Sequence, residues 1–132
     1  MSQRLILASA STVRTEMLQR ANVPHEVSVA RIDEETIKSA LLAEHASPRD
    51  IADTLAEMKA RKVSDKNPGA LVLGCDQVLD HHGQLLSKPT SPQDAVTQIK
   101  SLTGDRHSLL SAAVIVEDGK PIWRHVGQVR LR

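Results

Sequence analysis

The sequence predicts an α/β domain built on a mixed central sheet. Three observations carry that prediction. Strand-length apolar runs alternate with segments of helical period along the chain. Two helical segments open with the same Ser-Pro device, at Ser47-Pro48 and Ser91-Pro92. The last 25 or so residues read as two strands joined by a tight turn, which makes part of the sheet antiparallel. At 132 residues the chain is long enough for one domain with a real core and no disulfide or structural metal.

Leu5–Ala8 is an apolar run of strand length. Ser9, Ala10 and Ser11 interrupt it, and a helix over Arg14–Ala21 follows, capped by Ser11 or Thr12. "VPHEVSVARI" alternates Val27, Val29 and the stem of Arg31 with polar neighbours, a strand pattern. A helix is expected over Thr36–His45. The next helix has clear punctuation: Ser47 as cap, Pro48 in the first position and Asp50 in the first turn. Along "RDIADTLAEMKARKV", helical spacing puts Ile51, Leu55, Met58 and Lys62 on one face, with Lys59 at its edge.

"GALVLGCDQVLD" is an apolar strand or pair of strands, and "DHHGQ" is a turn near Gly83. "SPQDAVTQIKSLTG" repeats the Ser-Pro start and ends at Gly104. "HSLLSAAVIVEDGKPIWRHVGQVRL" is a hairpin turning over Asp118–Pro121.

Composition removes several function classes. One Trp and no Tyr or Phe leave no stacking platform for single-stranded nucleic acid. A formal net charge of +1 provides no bulk field for a polyanion, so no nucleic-acid partner is expected. A single cysteine, Cys75, excludes an internal disulfide framework and suits a reducing cytoplasm. No apolar run is long enough for a membrane span or a signal-peptide core, so no membrane partner is expected either.

The candidate chemistry lies in a few short stretches. The bend at Ser9–Ser11 presents small hydroxyl side chains at a helix start, and Arg14 sits in the first turn, where the helix dipole disfavours a cation. A bound anion would reconcile the two. In "VLGCDQV", Asp76 follows an apolar strand behind the small residues Gly74 and Cys75. It is either a turn-starting carboxylate or a ligand-facing one that binds a divalent ion or accepts a proton from water.

Lys59 and Lys62 either form a solvated helix face or pack their stems and reach a cleft. Lys88 in "SKPT" is a loop lysine with the same two readings. Asp33, Glu34 and Glu35 either complement a helix N-terminus or offer oxygen ligands to Mg²⁺. The six histidines suggest no zinc site: His81 and His82 share a turn, without a spaced partner. Cys75 fits a buried thiol better than a nucleophile. Neither a Rossmann glycine fingerprint nor a P-loop occurs.

In order, "LILASAS…R…ML", "IDE", "LAEMKA", "LGCDQV", "SKP" and "LTGDRHSLLSA" resemble the Maf family of nucleoside triphosphate pyrophosphatases. The resemblance covers nearly the whole chain. It implies a two-lobed fold with a deep cleft, like that of inosine triphosphate pyrophosphatases. It also implies hydrolysis between the α and β phosphates, releasing pyrophosphate and a nucleoside monophosphate.

By resemblance, Ser9, Ser11 and Arg14 match the phosphate-cradling loop, Asp76 the catalytic carboxylate, and Lys59 and Lys88 two phosphate-binding lysines. Glu34 matches the acidic residue that joins Asp76 in holding Mg²⁺ or Mn²⁺. Gln77 follows the aspartate as in the 7-methyl-GTP branch; the dTTP and UTP branch usually has Thr there. A homodimer is also implied.

The chain departs from the family pattern in two ways. "SASTVRT" replaces a loop that commonly reads S-x-S-P-x-R-R, which implies weaker phosphate binding. Family members also continue past the position of Arg132. The implied single domain over 1–132 therefore lacks the usual C-terminal part, or has its exposed core covered by a partner. The alternative functions are a dTTP/UTP pyrophosphatase of the same family, a nucleotide-binding regulatory module without turnover and a structural interaction domain.

Overall fold

The computed structural model describes residues 3–9, 11–86 and 91–131. Its sheet is mixed. Strand β1 (Leu5–Ala8) lies parallel to β2 (Glu26–Val27) on one side and to β3 (Leu71–His81) on the other. Strand β5 (His107–Glu117) runs antiparallel to β3, and β6 (Lys120–Leu131) runs antiparallel to β5. The order is β2-β1-β3-β5-β6, with the short β4 (Gln84–Leu86) folded back on the end of β3. Two-residue turns close both hairpins: His82-Gly83 and Asp118-Gly119 all have positive φ, the geometry that matches the right-handed twist of the flanking strands.

Among the described residues four helices connect and flank the sheet: α1 (Thr12–Arg20), α2 (Glu34–Ala43), α3 (Pro48–Ser64) and α4 (Pro92–Leu102). Each is capped by the side chain before it, with Ser11, Asp33, Ser47 and Ser91 accepting from Arg14, Thr36, Asp50 and Asp94 N–H groups. Helix α3 packs on the sheet. Its alanines Ala52, Ala56 and Ala60 meet Ile6, Ala8, Val72, Val114 and Val116 in one buried cluster. Arg124 of β6 ties the same helix to the sheet edge through Asp53 at 2.6 Å and through Glu57.

Two expectations need correction. On α3 the buried face consists of Ile51, Ala52, Leu55, Ala56, Ala60 and Val63, whereas Met58 and Lys62 are exposed. Small side chains carry that face because the helix backbone lies directly over Gly74: a Cβ there would stand 2.1 Å from the Ala56 carbonyl oxygen. The strand expected through Val29 and Arg31 is only Glu26–Val27, and Val27 and Val29 are half exposed. Among the described residues it lies at the sheet edge with β1 as its strand neighbour, so alternation there buries little.

Candidate active site

Strand β3 outlasts its parallel neighbour. Pairing with β1 ends at Ala8↔Gly74, and pairing with β4 begins at Leu79↔Leu86. On the other side β5 pairs continuously from Leu71 to Asp80. Among the described residues, the stretch from Cys75 to Val78 therefore has an open edge beyond the carboxyl end of β1, where α/β folds usually place a ligand crevice. A cavity of about 780 Å³ opens there.

Its polar wall joins Ser9, Ser11, Arg14, Glu34, Lys59 and Asp76, drawn from the segment between β1 and α1 and from α1, α2, α3 and β3. Val29, Ala30, Val78, Leu79, Leu85 and Leu109 supply apolar surface to the same cavity.

The bend after β1 is organised by its own hydroxyls. Ser9 is 7% exposed, and its Oγ accepts from Ser11 N–H at 3.1 Å and from the Arg14 guanidinium at 3.2 Å. Ser11 Oγ accepts the Arg14 N–H as helix cap. Arg14 thus folds back over the start of α1 into the cavity, which accounts for a cation in that first turn.

Lys59 lies between two carboxylates. Its Nζ is 2.6 Å from Glu34 Oε1 and 3.1 Å from Asp76 Oδ1, and it also donates to the Cys75 carbonyl at 3.4 Å. Burial pulls the ammonium pKa down, but Glu34 and Asp76 outweigh it and hold it above the ordinary lysine value. Burial raises the Asp76 carboxyl above its ordinary value, with Lys59 offsetting only part of that. Asp76 Oδ2 is buried without a hydrogen-bond partner among the described residues. Burial also raises the Cys75 thiol, so a reactive thiolate is disfavoured.

The three adjacent carboxylates divide their roles. Asp33 caps α2, Glu35 points to solvent beside Lys38 at 3.8 Å, and Glu34 reaches Lys59. Gln77 borders the cavity, but strand alternation puts its side chain on the sheet face opposite Asp76. There its amide donates to Ser111 Oγ at 3.1 Å. Lys88 lies outside the described residues. Lys38 lines the cavity and was missed from the sequence, although its position one helical turn after Glu34 marks the shared face.

Comparison with known proteins agrees with this architecture. The chain is 73% identical over all its 132 residues to a nucleoside triphosphate pyrophosphatase of Roseobacter denitrificans, covering 66% of that protein. It is 42% identical over 126 residues to a 7-methyl-GTP pyrophosphatase of Brucella abortus, covering 96% of this chain and 63% of that one. The chain thus spans about two thirds of the length of these relatives. A solved dITP/XTP pyrophosphatase from Mycobacterium abscessus shares the fold at 17% identity, with a TM-score of 0.52 over 97% of this chain and 72% of that one. The family model described as Maf-like protein matches residues 4–132, and the chain belongs to the Maf family.

Proposed function

We propose that this chain carries the catalytic cleft of a nucleoside triphosphate pyrophosphatase that cleaves between the α and β phosphates. The observation that carries this reading is the convergence on one cavity of the Ser9–Arg14 bend, Lys59, and a buried Asp76 with an unpartnered oxygen. Arg14, Lys38 and Lys59 exceed Glu34 and Asp76 by one positive charge, which favours an anionic ligand.

The N–H groups at the start of α1 and the Arg14 guanidinium bind phosphate oxygens. Lys59 orients the Asp76 carboxylate through Oδ1 and leaves Oδ2 to accept a proton from the attacking water or to ligate a metal. The apolar surface of Val78, Leu79 and Leu109 receives the nucleobase and excludes water.

A divalent cation fits the donors present. Asp76 and Glu34 offer only oxygen, as Mg²⁺ and Mn²⁺ require, and Asp76 Oδ2 lacks any other partner among the described residues. A triphosphate also carries more negative charge than the surplus of one cation neutralises. When bound, the ion neutralises phosphate charge and stabilises the leaving pyrophosphate. The single-domain reading of residues 1–132 and a cytoplasmic setting belong to this proposal. A preference for a modified purine such as 7-methyl-GTP is supported by the named Brucella abortus relative.

The test is pyrophosphate release from a nucleotide panel with Mg²⁺ or Mn²⁺, before and after chelation. Release that needs the metal and disappears in Asp76→Asn supports the reading. Tight nucleotide binding without turnover would make the chain a regulatory module, and a dTTP or UTP preference would overturn the base assignment.

A further inference from the structure

A second cluster of ligating side chains lies away from the Asp76 carboxylate. His81, at the end of β3, and His82, in the hairpin turn, both direct Nε2 to Asp105 Oδ2, each at 2.8 Å. Asp105 lies 23 and 24 residues further along, between α4 and β5, so chain folding creates the group. The sequence suggested two turn-exposed rings without a partner. The fold leaves the His82 side chain 64% exposed but that of His81 only 17%.

We propose that His81, His82 and Asp105 form a binding site for a borderline divalent transition metal such as Zn²⁺. The three ligand atoms lie within 4.8 Å of one another. Ligands on a tetrahedral zinc stand about 3.3 Å apart, so the two nitrogen–oxygen pairs need to open by only about half an ångström.

Two imidazoles and one carboxylate are donors that zinc, nickel, cobalt and copper prefer over magnesium, and three protein ligands leave a position for water. The carboxylate is anchored. Its Oδ1 accepts Arg106 N–H at 2.8 Å, and its own N–H donates to the Leu102 carbonyl at 3.1 Å. On the hairpin side, Asp80 Oδ1 accepts Gly83 N–H at 2.8 Å and holds the turn. On binding, each ring gives up to solvent the Nε2 proton it directs at Asp105, carries its one remaining proton on Nδ1 as the neutral tautomer, and turns the Nε2 lone pair to the ion.

The position gives the site a consequence. The hairpin carries Leu85 and the strand after Asp105 carries Leu109, both part of the apolar wall of the main cavity. A metal clasp joins those two segments and stiffens that wall.

The test is calorimetric titration of the protein with ZnCl₂ in excess Mg²⁺, which occupies oxygen-only sites. One zinc per chain is expected. Asp105→Asn keeps the shape but removes the charge, and His82→Asn suits the left-handed turn conformation of that residue. Each should weaken binding on the order of 100-fold, because even outer-shell partners of ligands cost up to about that much. Asp76→Asn should bind zinc like the parent, which separates this site from the proposed catalytic one. No zinc binding by the parent, or equal binding by His82→Asn and Asp105→Asn, overturns the proposal.

Discussion

Gly74→Ala probes the contact that brings Lys59 and Asp76 together. A Cβ at position 74 would lie 2.1 Å from the Ala56 carbonyl oxygen and 2.9 Å from both the Cβ and the N of Ala60. A relaxed carbon–oxygen contact is about 3.3 Å, so α3 has to retreat by about 1.2 Å. Two of the three obstructing atoms are backbone, and no side-chain rotation relieves them.

Overpacking of this kind costs about 3 kcal/mol, and restricting the unfolded chain by replacing Gly returns about 1 kcal/mol. The net loss of about 2 kcal/mol corresponds to a fall in Tm of about 7 °C at this chain length. Activity should fall further than stability. Lys59 precedes Ala60 and Asp76 follows Gly74 by two residues, so the retreat separates a pair now 3.1 Å apart. A misplacement of about 1 Å costs on the order of 100-fold in rate. Thermal unfolding by circular dichroism and pyrophosphate release measure the two effects. Gly127→Ala serves as control, because its Cβ would find nothing closer than 3.8 Å. A Gly74→Ala protein melting within about 2 °C of its parent with full turnover would refute the close approach of α3 to β3.

Three further outcomes follow from the charges. Asp76→Asn should melt higher than the parent at pH 7 while losing turnover. The folded-state pKa of Asp76 lies above the unfolded one, so its favourable contribution is complete only below the unfolded pKa and is lost as pH rises through the folded pKa. The gain should therefore shrink toward acid pH, and a variant melting lower at pH 7 contradicts the burial argument. In the metal-free protein the Asp76 carboxyl, followed by carbon-13 NMR, should titrate above an ordinary aspartate because burial disfavours its charge; a midpoint at the ordinary value or below counts against that burial. Lys59→Met should destabilise by about 3 kcal/mol by leaving Asp76 and Glu34 without their shared cation, and adding Asp76→Asn should restore much of that. Equal melting of the single and double variants would show that the pair does not interact.

Much of the fold was legible because its signals are local. The Ser-Pro starts at Ser47 and Ser91 did cap α3 and α4, and turns did form near Gly83 and within Asp118–Pro121. Each depends on residues within a few positions, whose conformational limits are the same in any fold. The site was partly legible in the same way. A hydroxyl bend followed by Arg14 and an aspartate after a strand both advertise a ligand. Lys38 was legible only after α2 was seen to face the cavity.

By itself the sequence determined the order of elements, their caps and turns, and the side chains available for chemistry. Tertiary structure alone decided which of them meet. That Glu34 rather than Asp33 reaches Lys59 depends on the packing of α2 and α3. Likewise, Asp76 is open to a cavity because β1 stops four residues into its pairing with β3. His81 and His82 share a carboxylate because α4 ends beside their hairpin. Such meetings join groups 17 to 25 residues apart, and they depend on strand register and helix–sheet distance. Those are properties of close packing over the whole core, to which no short stretch of chain has access.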